Sequence, residues 1–155
     1  MNKKMSMRLE KEEINQLLSG EKSVIYTRDI PDKFNDIVFC NWQEILGEAK
    51  VVGIFDAEKK YVWEQTASQA ITHASRPDFD LYFHDQDNAT GYVITNPKKY
   101  NFRLLAKDLD LPWGSLILFS DEQNLIMEIL NNTNYTSCKK AFTITQRVHR
   151  RRKIK

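Results

Sequence analysis

The sequence is sparing in the residues that usually announce a specialised chemistry: two cysteines, three histidines, five glycines and four prolines in 155 residues. Neither Cys40 nor Cys138 has a second Cys or His beside it at metal-ligand spacing, so neither a zinc site nor a disulfide framework is supported. Both read as reduced thiols, and Cys40, within DIVFCNW, reads as a small buried apolar residue rather than a nucleophile. His73, His84 and His149 form no recognisable metal or catalytic set, and His84 sits in a solvated acidic stretch with Asp80, Asp85 and Asp87. There is no Gly-rich phosphate loop and no nucleophile elbow, which excludes nucleotide-triphosphate folds and elbow-type serine hydrolases. No apolar run approaches the roughly 20 residues that span a bilayer, and MNKKMSMRLEKEE lacks the apolar segment of a signal peptide. The expectation is a cytoplasmic chain with no membrane partner, no metal and no cofactor.

What is present is an ordinary soluble composition, 41% hydrophobic and 28% charged, enough to build one core and no extended disorder. The net charge of +2 conceals a segregation: residues 139–155 carry eight Lys/Arg and no Asp/Glu, leaving 15 basic against 21 acidic residues in the remainder. An acidic body therefore carries a basic C-terminal extension. Its end, RVHRRRKIK, with Arg147, Arg150, Arg151, Arg152 and Lys153, has the composition that condenses on phosphate backbones, and equally that of a solvated terminus. The expected organisation is a single domain over 1–138 followed by the extension 139–155.

Along the chain, Leu9, Ile14, Leu17 and Leu18 fall near helical spacing from Arg8 to Leu18, and Ser19-Gly20 supplies a stop. Lys22 to Arg28 alternates as a strand, with Lys22, Val24, Tyr26 and Arg28 on one face and Ser23, Ile25 and Thr27 on the other. DIVFCNW and GEAKVVGIFDA are further strands, and Gly53 inside the second marks a bulge or bend. The breaker-free stretch Lys60–Ile71 is read as a helix, and Asp78 as the cap of another over FDLYFHD. NATGYVITNPKKYNF is a turn and a strand, with Pro97 limiting its pairing. LAKDLDLPWGS is a connector and SLILFS a strand. Ser120 or Asp121 caps a helix whose apolar stripe is Leu125, Ile126, Ile129 and Leu130, and CKKAFTITQRV is read as a last strand. Five or six strands mixed with three or four helices, without regular alternation, predict an α+β class, a small mixed β-barrel with peripheral helices.

The order LLSGEKSVIYTRDIP, DIVFCNW, GEAKVVGIFDA resembles the ASCH family of PUA-like barrels, in which a helix leads into a Gly-x-Lys-x-x-Glu-x-Arg motif on the first strand. Gly20 and Lys22 match its first two positions. YVWEQTASQA, FDLYFHDQ, TGYVITNPKKYNF and LDLPWGS extend the likeness, over roughly residues 9–119, to a subgroup described as transcriptional regulators. Ile25 stands where the motif has Glu, and Thr27 where it has Arg, with Arg28 one place later.

What the resemblance implies is binding of RNA or another nucleic acid in the barrel cleft, in RNA metabolism or regulation of gene expression. On that reading Lys22, Tyr26 and Arg28 line the cleft, Trp113 in LPWGS is an exposed platform, and the 147–155 tail adds nonspecific phosphate attraction. Tyr26 and the tryptophans Trp42, Trp63 and Trp113 each admit either base stacking or a core role. The resemblance also leaves open a hydrolase of RNA or modified nucleosides. Such an enzyme would use Lys22 with a carboxylate from elsewhere, Glu48 or Glu64, because Ile25 supplies none. A third possibility is a protein-interaction module with a vestigial cleft.

Overall fold

Strand pairing is set by a long hairpin whose two arms each bend. The computed structural model of the chain describes residues 3–28, 33–69, 75–112 and 116–132. The arms are β4 (Glu44–Glu58) and β5 (Asn88–Leu105), paired from Glu58↔Asn88 to Glu44↔Leu105. The register shifts three times along them, one shift falling between Val51 and Gly53, where a bulge was expected. Another lies between Glu48 and Lys50, whose partners are Lys98 and Thr95. Asn96 (φ 51°) and Pro97 fall in that gap, so the ladder never asks for the proline's missing N–H. Pro97 therefore does not end the strand: β5 continues to Leu105.

Around this hairpin lie β1 (Lys4–Arg8), β2 (Val24–Thr27), β3 (Asp36–Cys40) and β6 (Leu116–Leu118), in the order β2-β5-β4-β3-β1-β6. Among the described strands only β1 and β3 pair in parallel. Among the described residues the result is a mixed sheet curled into a half-barrel with four peripheral helices. Helix α1 (Lys11–Ser19) covers one part of the sheet through Ile14 and Leu17, which meet Ile25, Ile37, Phe39 and Tyr92 in a single apolar cluster. Gly20 ends it in the left-handed region (φ 85°), its N–H returning to Leu17 O. Helices α2 (Lys59–Gln69) and α3 (Arg76–Tyr82) build a second cluster from Val62, Phe79 and Phe83. Ser75 caps α3, accepting from the N–H of Asp78 with Pro77 in the first turn, so the helix begins before the cap expected at Asp78. Helix α4 (Asp121–Asn132) closes a third cluster with Ile126, Met127 and Leu130 against Val38, Phe102 and Leu104. Each side chain fully removed from water in these clusters contributes ~1.5–3 kcal/mol.

Ser120 caps α4 reciprocally with Gln123, and Gln123 also donates to Leu109 O at 2.8 Å. That turns the buried face toward Gln123, Asn124 and Met127 and leaves Leu125 exposed, a correction to the stripe expected from apolar spacing alone. Among the described residues no helix is long and apolar enough to cross a membrane. The basic extension 139–155, the strand expected at CKKAFTITQRV, Cys138, His73 and His149 lie outside the described residues.

Candidate functional site

Strand β2 and the residues flanking it hold Lys22, Tyr26 and Arg28, the first and last of them just outside the strand rather than on it as expected, and each already has neighbours. Val24 and Ile25 are both fully buried, Ile25 in the cluster that α1 closes with Ile14 and Leu17. Tyr26 enters the aromatic cluster, with ring centroids 5.0 Å from Phe79 and 6.4 Å from both Trp63 and Phe83. Its hydroxyl lies 2.6 Å from Thr66 Oγ1. Lys22 precedes the strand, and its ammonium pairs with the Glu13 carboxylate of α1. Arg28 follows it and pairs with Asp85 just beyond α3 at 2.5 Å. That guanidinium holds the Asp85 carboxyl below its ordinary value of 3.8. The structure thus directs Lys22 to one helix, Tyr26 into the packing of two others and Arg28 to the segment after α3.

The carboxylate at Lys22 is Glu13, on the preceding helix. Glu48 instead accepts from Lys4 Nζ (2.7 Å) and Asn131 Nδ2 (3.1 Å), and Glu64 is exposed on α2. Burial, with the Glu48 carboxylate adding to it, pushes the Tyr100 phenol well above its usual range. Cys40 is fully buried and its thiol is pushed up to about 11 by that burial, as suits a packing residue rather than a nucleophile. His84 bonds through Nδ1 to Leu81 O (2.9 Å). No group of three His, Cys, Asp or Glu is placed to hold a metal among the described residues. Trp113, Arg147, Arg150, Arg151, Arg152 and Lys153 lie outside those residues.

A different concavity gathers cations at the other end of the hairpin. In the second half of β5, Tyr100, Phe102 and Leu104 point into the core, so Lys99, Asn101 and Arg103 face outward by strict alternation. The ladder sets this half of β5 beside the start of β4 and the turn before it. That turn is strongly held. Asn41 Oδ1 accepts from the N–H groups of Gln43 (2.9 Å) and Glu44 (2.8 Å), and Ala106 N–H donates to Gln43 O at 2.7 Å. Arg8, at the end of β1, donates through Nη1 to Asn41 O (2.9 Å) and Trp42 O (3.2 Å).

Trp42 stands on this fixed turn with 64% of its surface exposed. Beside it is a pocket of about 350 Å³ lined by Arg8, Trp42, Gln43, Arg103 and Lys107, with Leu105, Ala106 and Leu111 also on its wall. A second pocket of about 510 Å³ shares Arg103 and adds Lys11 and Lys99. Among the described lining residues Glu44 is the one acid, 4.0 Å from Arg103. Sequence reasoning weighed Trp42 but preferred Trp113, and it passed over Arg8, Arg103 and Lys107. The alternation of KYNFR within a strand, next to an aromatic in a turn, was the available signal.

No family model matches the chain, and no curated protein matches it in sequence. Its backbone is similar to the crystal structure of ASCH from Zymomonas mobilis, with a TM-score of 0.68 and 18% identity over 86% of this chain and 97% of that one. A serine-to-alanine variant of that protein gives 0.71 and 17% identity, covering 82% of this chain and 95% of that one. A tyrosine-to-phenylalanine variant gives 0.67 and 16%, covering 81% and 96%. At these identities the comparison establishes the ASCH, PUA-like, fold.

Proposed function

We propose that the chain binds nucleic acid, RNA foremost, and that the groove around Trp42 is its main contact. One observation carries this reading: Arg8, Arg103 and Lys107 converge with an exposed indole on one pocket, and Lys11 and Lys99 continue the basic lining. Cations spaced along a groove neutralise successive phosphates, and an aromatic among them offers a face to a base. The acidic remainder of the body confines a polyanion to such a zone. Lys22 and Arg28 are secondary contacts on this reading, reached when a phosphate displaces Glu13 or Asp85, and the 147–155 tail supplies nonspecific attraction. A role in RNA metabolism or gene regulation, as in the regulator subgroup that the sequence resembles, and a cytoplasmic address belong to the same proposal.

Binding of a short fluorescent single-stranded RNA across a salt series tests it. Replacing Arg103 and Lys107 together by alanine is expected to weaken binding about tenfold at low salt and to lower the log–log salt slope by roughly 1.4, two phosphate contacts' worth. An unchanged slope would remove the groove from the interface.

A further inference from the structure

We infer that Trp42 is a stacking platform for one unpaired base, so that the groove selects single strands over duplex. This rests on the nucleic-acid reading above and adds the class of strand it takes. Three observations support it.

The first is rigidity without burial. An indole confers little binding if it must first be ordered, but the backbone beneath Trp42 is fixed by the Asn41 side chain, by the Ala106 N–H and by the Arg8 guanidinium. The ring is nevertheless exposed to solvent. The second is size: the 350 Å³ pocket beside the ring has the volume of a small-ligand site, whereas a continuous duplex presents its bases only at their edges. The third is charge placement. Arg103 lines both pockets, and Lys107 and Lys99 belong to one each, so cations flank the ring's pocket on the path a backbone would follow. A nucleotide whose base lies on Trp42 would keep its neighbouring phosphates within this cationic lining.

The test uses the full chain and three probes of equal length: a ~10-nucleotide single-stranded RNA, the same backbone with its bases removed, and a duplex. The intact strand is expected to bind most tightly. Trp42→Ala should weaken it at least about fivefold while leaving the salt slope and the affinity for the baseless strand unchanged, and Trp42→Phe should recover part of the loss. Equal binding of intact and baseless strands, or equal losses on all three probes, would overturn the platform. If the Arg103 and Lys107 variant still lowers the salt slope in that case, the nucleic-acid reading survives alone. If no probe binds at low salt, both fall.

Discussion

Two regions of this half-barrel contain the same residue types, an aromatic ring with basic neighbours, and put them to opposite ends. On the β2 flank, Tyr26 is enclosed by Trp63, Phe79 and Phe83, and the cations on either side of it are matched to Glu13 and Asp85. At the β3–β4 turn, Trp42 is exposed, and the Arg103 beside it meets its nearest acid only at 4.0 Å. The difference arises from what covers each strand. Helices α2 and α3 pack on Tyr26, whereas at the turn between β3 and β4 the backbone is fixed and 64% of the Trp42 surface is exposed. A ring surrounded by other rings contributes chiefly to folding; a ring left largely exposed on a braced turn keeps area that a ligand can cover.

The sharpest break between the regions is in stability. Tyr26→Ala removes a ring from a packed cluster and leaves the Thr66 hydroxyl without that partner, so it should cost about 3 kcal/mol. Trp42→Ala should cost less than about 0.5 kcal/mol, since the turn is held by backbone groups and by Asn41. Urea unfolding of both variants decides it, read from the midpoints at unchanged m. Similar losses would mean that the two rings are not in different roles.

In binding, the order reverses and the effect is smaller. Replacing Lys22 and Arg28 together by alanine also frees Glu13 and Asp85, so affinity for a short single-stranded RNA at low salt should fall less than about threefold, against about tenfold for Arg103 and Lys107. A larger loss from the β2 pair than from the groove pair would return the interface to β2.

Much of the fold was legible because the hydrophobic periods were clean. The strand at DIVFC, the run GEAKVVGIFDA with its bulge at Gly53, the glycine stop of α1 and the Ser120 cap are local features that tertiary packing did not override. Strand β1 was missed because Met5, Ser6 and Met7 are all buried between two neighbouring strands, which removes the period-2 signal. The α4 stripe was misplaced because buried Gln123 is satisfied by Ser120 and by Leu109 O, partners that no apolar count reveals. The candidate groove was the least legible part. Arg8, Trp42 and the Arg103–Lys107 stretch come from three separate segments, and the β4–β5 register with the Ala106–Gln43 hydrogen bond brings the third beside the second. Lys22 and Arg28 were visible as a motif, but their partners Glu13 and Asp85 are nine and 57 residues away in sequence.

The smallest expected effect isolates the Arg28–Asp85 pair, the most exposed tie of the β2 flank. The Asp85 carboxyl is held below 3.8 in the folded chain, first by its hydrogen bond from Arg28, so the unfolded chain binds the proton more readily. Its contribution to stability is therefore complete above the unfolded value near 3.8, and it is lost as pH falls through the lower folded value. Wild type and Asp85→Asn should differ slightly in melting temperature at neutral pH, and the difference should close as the carboxyl protonates in acid. High salt at neutral pH should shrink it too, because both partners reach solvent. A difference that persisted in acid and in salt would place the asparagine's effect in packing around α3, and the pair at Arg28 would then belong with Tyr26 as structure rather than as a contact that a phosphate can displace.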